Sequence, residues 1–419
     1  MTDTDRPSQR WTDDELQELD TGTDKNDLKI KRDPISKFTD EKASLGRADS
    51  YIGKLDRNLT EFEAYLYHEH DEHICNVSYE EILAFNKFLC GDTDRSTFYT
   101  ITDRNGNPKE IDLADTTRHQ TLQYLRDLYG WLINEDVVST NPAETALTKL
   151  DDDEFDLTPP SRPRKEIFEM REFLQWISNP LIRSFIMLLL KTGARLGQAA
   201  NLDLCDIHID HPLYYDLLDE VNVDLHDEVV NKPDSIYFPP GFQEETEIRG
   251  EVRALGSKTK RRNGCVVPID DELKTALLEY ILVRRKATKH TPESKPFFVK
   301  HTLHGDLDRL TKDAVYGLLT VKNDTSGCLK EYGWYEQGAP TADNVTVHFF
   351  RHFFTHNHKP RKGVYRDYMP EPVRRYVRGD VPKGNSAEDI NYDHDDWNVW
   401  TEFIKKPYLD AIYKFNIYD

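Results

Sequence analysis

Cysteine is scarce in this chain of 419 residues: it occurs five times, and no two cysteines have the Cys-x-x-Cys spacing. An odd number without paired spacing argues against a disulfide framework and against a thiolate zinc site. The cysteine content therefore predicts a protein of a reducing compartment, which we expect to be the cytoplasm.

Long apolar runs are also missing. The longest aliphatic run, residues 185–190, is far shorter than the roughly 20 residues that a helix needs to cross a bilayer. The acidic N-terminus has neither the charged nor the apolar region of a signal peptide. These absences predict a soluble intracellular protein with no membrane partner.

Basic charge is in deficit, because 55 lysines and arginines face 76 acidic residues, for a formal net charge of −21. A strongly acidic total argues against nucleic acid as a partner. The deficit is uneven, however: residues 208–247 contain eleven acidic residues and one lysine, whereas residues 359–378 contain seven basic and two acidic residues. A local basic surface that contacts DNA is therefore compatible with the acidic total.

The excess of acidic residues also suggests a hypothesis about the host organism. Surplus carboxylates keep a protein surface hydrated in high salt, so a halophilic host would explain the charge without denying DNA binding. High salt weakens phosphate contacts and shifts recognition toward base contacts and protein–protein contacts. Stability and DNA binding that are highest at low salt would contradict this hypothesis.

Two predicted domains are joined by a linker. Residues 1–45 mix charges of both signs with almost no aromatic content, and we predict a flexible arm. Apolar residues at helical spacing over residues 46–146 predict a small helical domain. Residues 147–164 are acidic and proline-rich, which predicts a linker with nothing to bury. Residues 165–419 form the second domain.

This second domain is predicted to be mainly α-helical with a small antiparallel β-sheet, an α+β fold. A basic hairpin over residues 256–264 is expected to join the last two of three short strands, at residues 236–238, 251–255 and 265–269. The acidic residues 208–247 are interpreted as an insertion. An amphipathic helix over residues 397–415 closes the chain.

The segment 347–354 has the pattern of a helix with one polar and one buried face. His348 and Arg351 are three residues apart and share the polar face. The other face consists of four phenylalanines: Phe349, Phe350, Phe353 and Phe354. Buried aromatics hold the polar face rigidly, which suits the binding of a small, highly charged group.

Three histidines of this helix, His348, His352 and His356, also have the spacing of a helical metal ridge. The metalloprotease motif needs a glutamate directly after its first histidine, where this chain has Phe349. We therefore expect no metal and no other cofactor. A metal hydrolase built on His348 and His352 stays as a third alternative.

Four motifs in a fixed order carry a family resemblance. They are Thr192-Gly-Ala-Arg195-Leu-Gly-Gln198, a lysine in the basic turn, His348-x-x-Arg351-His352, and Tyr392 within Asn391-Tyr392-Asp393-His394. This series resembles the active site of tyrosine recombinases (phage integrases), and the acidity makes it similar to an archaeal or halophile-like member. The helical domain resembles that family's core-binding domain, so the resemblance covers roughly residues 50–415.

The resemblance implies a site-specific recombinase that cuts and rejoins DNA through a 3′-phosphotyrosyl intermediate, without metal or ATP. Tyr392 would attack the phosphodiester. Arg195 and Arg351 would grip the non-bridging oxygens, and His348 would donate a further hydrogen bond. Lys258, or Lys260 if the register is shifted, would protonate the leaving 5′ oxygen. His352 is a supporting candidate.

The implied partner is double-stranded DNA at an attachment site, clamped between the two domains, with four copies of the chain acting on two sites in the integration of a mobile element. Seven basic residues are predicted to contact DNA: Lys260, Arg261, Arg262, Arg361, Lys362, Arg374 and Arg375. The run 258–262 is also consistent with a solvated turn, or with phosphate contacts that play no part in catalysis.

Two departures from the family pattern bear on catalysis. Gln198 stands where the family usually has glutamate, which removes support from Arg195. Asp380 stands near the place of a histidine, and a carboxylate cannot donate a hydrogen bond to phosphate. Either Asp380 orients an arginine, or His394 supplies the missing donor. Both departures would permit a weakened relative that recognises DNA without strand exchange.

Overall fold

The structure is a computed structural model that describes residues 10–23, 27–91, 113–150, 154–158, 162–284, 295–301, 307–322, 325–339, 343–359, 368–381 and 397–418. The chain divides into two compact units, Met1–Pro159 (unit 1) and Pro160–Asp419 (unit 2). In the part of the chain that the structure describes, no helix is long and apolar enough to cross a membrane.

Unit 1 is helical. Its helices are α1 (Asp13–Glu18), α2 (Leu28–Arg32), α3 (Pro34–Ser44), α4 (Asp49–His70), α5 (Tyr79–Leu89), α6 (Asp115–Asn134) and α7 (Pro142–Lys149). Local signals set several of their starts: Ser78 and Glu81 form a capping box on α5, and Asn141 caps α7 ahead of a proline in its first turn. The core is built from apolar residues of α3 to α7.

The prediction of a flexible arm over residues 1–45 was wrong for the described part of that range. Helices α1 to α3 form there, and Ile35 and Phe38 are fully buried. The Phe38 ring packs against Trp131 of α6, with 5.6 Å between ring centroids. The many charged residues hid a short apolar stripe that becomes stable only when α6 covers it.

The linker prediction also needs correction. Helix α7 continues to Lys149, inside the predicted linker, and Phe155 is buried in the core of unit 1. Arg118 lies over the Phe155 ring at 5.1 Å, and His119 meets it edge-on at 5.3 Å. The segment therefore does have a side chain to bury.

Unit 2 combines helices with short antiparallel strands, which confirms the predicted fold class. Its helices are α8 (Ile167–Trp176), α9 (Pro180–Thr192), α10 (Leu196–Ala200), α11 (Pro212–Val221), α12 (Asp227–Val230), α13 (Asp271–Val283), α14 (Lys312–Leu319), α15 (Cys328–Glu331), α16 (Val347–Asn357), α17 (Glu371–Val377), α18 (Trp397–Trp400) and α19 (Lys406–Ala411). Its strands are β1 (Ile207–His208), β2 (Ser235–Phe238), β3 (Glu247–Ile248), β4 (Glu251–Val252), β5 (Cys265–Pro268), β6 (Val299–His301), β7 (Leu307–Arg309), β8 (Val321–Lys322) and β9 (Thr325–Ser326).

The pairing of the strands differs from the prediction. Strand β5 pairs with β2, and β4 pairs with β3, so the basic segment is not a hairpin turn. The tight turn lies at Arg249 and Gly250, whose φ angles of 53° and 72° fit a two-residue hairpin. Two stretches of antiparallel contact flank the basic residues: Phe238 pairs with Cys265, and Gly241 donates to the carbonyl of Thr259. Residues 260–264 lie between these two contacts and bulge outward. The bulge presents the basic residues beside the strands.

The acidic residues 208–247 are not an insertion on the fold. They supply α11, α12 and β2, the central strand of the sheet β1-β2-β5. Tyr214, Val229 and Ile236 from this range are fully buried. The acids lie among inward-facing apolar residues at helical and strand spacing, so composition masked a part of the core.

The last helical segment is shorter than predicted. Helices α18 and α19 are joined by a π-helical turn, Thr401–Lys405, and the helix ends at Ala411 instead of Phe415. The following residues are extended and buried within unit 2. Lys191 donates to the carbonyl of Tyr413 at 2.6 Å, and Glu272 accepts from the backbone of Phe415. The C-terminal segment therefore packs on its own chain.

Candidate active site

Helix α16 carries the polar face that the sequence predicted. Its four phenylalanines are buried, and so is Arg351, whereas His348 is exposed. The helix lies against the end of α9, where Gly193 has a φ of 62°. A Cβ on Gly193 would be 2.6 Å from the Phe354 ring, so glycine allows this close approach. The packing brings Arg351 to the turn that precedes Arg195.

Arg351 is held by three oxygens. Its Nη1 donates to the carbonyls of Gly193 at 2.5 Å and Arg378 at 3.1 Å, and its Nη2 donates to Asp380 Oδ1 at 2.8 Å. Burial and the charges of Arg378 and Arg195 lower the pKa of Arg351 to about 9. The guanidinium therefore remains charged at neutral pH, in a fixed orientation.

Arg195 approaches from the turn between α9 and α10. Its Nη1 donates to the carbonyl of Lys258 and its Nη2 to Asp380 Oδ1, both at 3.0 Å. Two guanidinium groups, one from this turn and one from α16, thus converge on one carboxylate oxygen. We call Arg195, Arg351, Arg378 and Asp380 the arginine clamp. Convergent guanidinium forks suit the non-bridging oxygens of a phosphate.

Asp380 owes its position to the end of α17. Gly379 has a φ of 68° and donates to the carbonyl of Tyr376 at 2.8 Å, and the Asp380 backbone donates to Arg375 at 3.0 Å. These two bonds form a Schellman motif, which turns the chain sharply after the helix. The turn delivers the Asp380 carboxylate to the arginines.

The Asp380 carboxylate is shared by three arginines, because its Oδ2 also pairs with Arg378 Nη2 at 3.1 Å. Burial raises the pKa of Asp380. The charges of Arg351, Arg378 and Arg195 lower it by more than burial raises it, so the pKa lies below its ordinary value. Three positive charges against one negative charge leave an excess of two. A phosphorane with two negative charges would balance this excess.

Gln198 supports the backbone around Arg195. Its Oε1 accepts from the Arg195 backbone at 2.8 Å, and its Nε2 donates to Thr259 Oγ1 at 3.0 Å. The side chain therefore ties the start of α10 to the segment that carries Lys258. The Arg195 guanidinium is held by Lys258 and Asp380 instead.

Lys258 and Lys260 are both exposed. Ser257, which precedes them, and Thr259, which lies between them, are buried. The alternation places both lysine side chains on one face of an extended segment. The Lys258 carbonyl contacts Arg195, and the Lys260 backbone donates to Gly379 at 2.8 Å. Both candidate proton donors are therefore attached to the clamp through their backbones.

His348 and His352 lie edge to face on α16, with 4.6 Å between ring centroids. Partial desolvation, followed by the charges of Arg162 and Arg351, lowers the pKa of His348 below its ordinary value. Burial and Arg162 lower the pKa of His352 to about 4. Both rings are therefore neutral at pH 7, and a neutral imidazole has one N–H to donate to a phosphate.

The residues predicted to bind DNA have different environments. Arg262 is exposed like Lys260, whereas Arg261 lies over the Tyr376 ring at 4.8 Å. Arg375 pairs with Glu371 at 2.5 Å.

Arg374 is buried and donates to the carbonyl of His358 at 3.0 Å. Its guanidinium is engaged inside unit 2 and is not available to a DNA backbone, which corrects the prediction for this residue. Four further candidates lie outside the described residues: Arg361, Lys362, Tyr392 and His394.

Two arginines near the site had no role in the sequence-based prediction. Arg378 caps α17 and pairs with Asp380, and Arg162 lies close enough to lower the pKa of both His348 and His352. The run Arg378-Gly379-Asp380 after a predicted helix is a sequence signal for a sharp turn, and it could have indicated Arg378. No signal in the sequence places Arg162 beside α16.

The histidines of α16 do not form a metal-ligand cluster in the part of the chain that the structure describes. The one such cluster found there consists of Asp203, Cys205 and Asp206. Arg249 and Arg253 pair with its two carboxylates at 2.6 to 2.8 Å. Those carboxylate oxygens are therefore neutralised by arginine.

Comparison with known proteins bears on the fold. No protein-family model matches the sequence, and no curated protein matches it. Among solved structures, the Tn1549 transposon integrase in complex with a circular intermediate DNA matches with a TM-score of 0.52 and 16% identity, over 82% of this chain and 90% of that chain. A second complex of that integrase with circular intermediate DNA matches with a TM-score of 0.51 and 14% identity, over 87% and 97% of the two chains. Its complex with transposon right end DNA matches with a TM-score of 0.52 and 15% identity, over 82% of this chain and 90% of that chain.

The chain therefore has the tyrosine-recombinase fold, as the resemblance predicted. Its fold is similar to that of a transposon integrase over most of its length. At these identities the likeness is one of fold, and the chemistry has to be argued from this chain's own residues.

Proposed function

We propose that this protein is a site-specific DNA recombinase that cuts and rejoins strands through a 3′-phosphotyrosyl intermediate, with Tyr392 as the nucleophile. The observation that carries the proposal is the convergence of Arg195 and Arg351 on one carboxylate oxygen, at 3.0 and 2.8 Å. Support also comes from the matched transposon integrase, which is bound to DNA in all three structures.

In the cleavage step, the Tyr392 oxygen attacks the phosphorus and gives up its proton to water. Arg195 and Arg351 neutralise the charge that develops on the non-bridging oxygens, and His348 donates a further hydrogen bond. The bond to the 5′ oxygen breaks, and Lys258 protonates that oxygen. The products are a 3′-phosphotyrosyl bond and a free 5′-hydroxyl.

Rejoining is the same reaction in reverse, with a 5′-hydroxyl as the attacking group. The phosphotyrosyl bond conserves the energy of the phosphodiester, so neither ATP nor a metal takes part. Exchange between two duplexes cuts four strands, and each cut uses one tyrosine. The active species is therefore a tetramer of this chain on two DNA sites.

Nicked suicide duplexes from a randomised library would test the proposal. The full chain is incubated with them in excess EDTA, and protein–DNA adducts are recovered from denaturing gels and sequenced. We expect a covalent adduct without any divalent metal. Strand cleavage that needs added zinc and leaves no covalent adduct would contradict the proposal and favour a metal hydrolase.

A second candidate function is DNA recognition without strand cleavage. It is favoured by the Asp380 carboxylate, which occupies the position where the arginines would hold a phosphate. Specific duplex binding in the same assay, with no adduct at any pH or metal concentration, would establish this alternative.

Lys258→Ala is expected to slow adduct formation on ordinary DNA by about 10² to 10⁴-fold, because the leaving oxygen loses its proton donor. A duplex with sulfur at the bridging 5′ position should restore the rate, since a thiolate leaves without a proton. Single-turnover adduct formation on both substrates measures the effect.

Lys260→Ala is the matched control, because Lys260 lies on the same face two residues away. Its rate should stay within about fivefold of the unaltered chain on both substrates. If sulfur rescues Lys260→Ala and fails to rescue Lys258→Ala, the proton donor is Lys260.

Asp380→Asn is expected to strengthen binding to duplex DNA by about tenfold at pH 7, because it removes the one negative charge among three arginines. The same change should lower the free energy of unfolding. A carboxyl with a lowered pKa stabilises the fold above its unfolded value of about 3.9 and loses that contribution as the pH falls through the folded value. Fluorescence anisotropy and urea denaturation measure the two effects.

Asp410→Asn on the exposed side of α19 removes an equal charge away from the clamp and should change binding less than about twofold. Weaker DNA binding by Asp380→Asn than by this control would show that the carboxylate orients the arginines and does not compete with phosphate.

A further inference from the structure

A basic groove lies between residues 162–165 and the outer side of α16, with a volume of about 260 Å³. Four basic side chains line it: Arg162, Arg164, Lys165 and Lys359. No carboxylate is among the described residues that line the groove. Phe349 and Phe353 are its apolar floor. In a chain with a net charge of −21, a groove that is lined by four cations and no carboxylate suits an anionic ligand.

An unsatisfied polar atom belongs to the same groove. His352 lines it, and the Nε2 of His352 is buried and has no hydrogen-bond partner among the described residues. Buried polar atoms are nearly always paired, so an unpaired one beside four cations is evidence for a ligand that completes the site.

We propose that this groove is a second phosphate-binding site, which takes a backbone phosphate of the DNA next to the phosphate held by the arginine clamp. The inference rests on the proposed function and adds to it a contact outside the reacting atoms. Arg164 and Lys359 bind the phosphate at the rim of the groove. His352 Nε2 is closed to solvent in this structure, and it pairs with the phosphate once the imidazole ring turns toward the groove.

The geometry of α16 connects the two sites. His348 and His352 are four residues apart on the helix, about 6 Å along its axis, and their rings are in contact. Successive phosphates of one DNA strand advance about 3.4 Å along the duplex axis. A strand with one phosphate at His348 and Arg351 therefore brings neighbouring phosphates within reach of the groove.

The groove is also coupled electrostatically to the two histidines of α16 and to the arginines of the clamp. Arg162 is the charge that most lowers the pKa of both His348 and His352, after desolvation. Arg351 and Arg378 face both rings as well, and Arg195 faces His348. A phosphate in the groove would offset the charge of Arg162 and raise the pKa of both imidazoles. The histidine signals consequently report occupancy of the groove.

Salt dependence of binding to a 30-bp duplex of arbitrary sequence tests the proposal, because phosphate contacts do not depend on sequence. The variant is Arg164→Ala with Lys359→Ala, which leaves Lys165 to its contacts with Glu169 and Trp334. In this double variant the slope of log K against log salt should fall by about one, and the dissociation constant should rise about tenfold near 0.1 M salt.

The matched control is Lys312→Ala with Lys330→Ala, which removes two exposed lysines of α14 and α15 in the same unit. Its slope should equal that of the unaltered chain. Duplex binding by the groove variant that equals binding by this control overturns the proposal.

Inorganic phosphate provides a second arm. Titrated into the full chain with ¹⁵N-labelled histidine, phosphate should shift the His352 signals, and the groove variant should abolish the shift. A phosphate-induced shift together with an unchanged duplex slope assigns the groove to free phosphate and overturns the DNA contact. If the slope falls but no covalent adduct ever forms, the groove stands and the cleavage function fails.

Discussion

Replacing Tyr392 by phenylalanine is expected to abolish the covalent protein–DNA adduct, a loss on the order of 10⁴-fold or more. The phenol oxygen is the only atom removed, and it is the atom that forms the bond to phosphorus. Binding of the uncut duplex should change less than about twofold, because the arginine clamp keeps all its donors. Suicide-substrate gels and fluorescence anisotropy measure the two quantities.

The control for this substitution is Tyr368→Phe, since Tyr368 is an exposed tyrosine of the same unit. It should form adduct at the normal rate. An adduct that persists in Tyr392→Phe would show that another residue is the nucleophile, and mass spectrometry of the adducted peptide would identify it.

Arg351→Lys is expected to slow adduct formation by about 10³-fold. Lysine keeps the charge but has a single nitrogen, which cannot donate to Gly193, Arg378 and Asp380 in the fixed geometry of a guanidinium. The transition state would then lose an aligned donor as well as the rigid position of the charge. Single-turnover rates on a suicide duplex at saturating protein measure the loss.

This substitution also removes buried hydrogen bonds, with an expected cost of about 2 kcal/mol in the free energy of unfolding. Arg253→Lys separates the two effects, because Arg253 is equally buried and ion-paired but belongs to the cluster around Asp203. This control should lose comparable stability and keep its rate of adduct formation. If Arg351→Lys forms adduct at a rate within tenfold of the control, Arg351 does not have the proposed role in the clamp.

The local signals in the sequence predicted individual helices well. Helix α16, Val347–Asn357, contains the whole predicted segment 347–354, and helix α5, Tyr79–Leu89, lies in the range 46–146 that was predicted to be helical. Both have an unbroken apolar stripe and few competing charges. Periodicity of this kind reflects burial of one face, so it is visible in a short window.

Charge-rich segments were predicted poorly. The arm was expected to be flexible although Phe38 is in the core. The acidic range was interpreted as an insertion, and of its three elements α11, α12 and β2 only the strand was predicted. In the arm the apolar residues are few and widely spaced among acids and bases, whereas in residues 208–247 eleven acids are spread among apolar residues at helical and strand spacing. Average composition then points to disorder, while the few apolar residues decide the structure.

The arginine clamp shows a different limit. The sequence indicated Arg195 and Arg351 by motif, and it identified Asp380 as a departure with two alternative meanings. It could not show that one carboxylate joins these arginines and Arg378, because the contact depends on how α9, α16 and α17 pack.

The sequence by itself determined the order of the motifs, the shared face of His348 and Arg351, and the helical character of most of the chain, since each depends on residues a few positions apart. Only the tertiary structure decided which strand pairs with β5, that Asp380 sits between the arginines, and that Arg162 lies beside α16. Arg195 and Asp380, which are 185 positions apart, meet in the clamp. Such contacts arise from the packing of whole elements, and a local pattern contains no information about that packing.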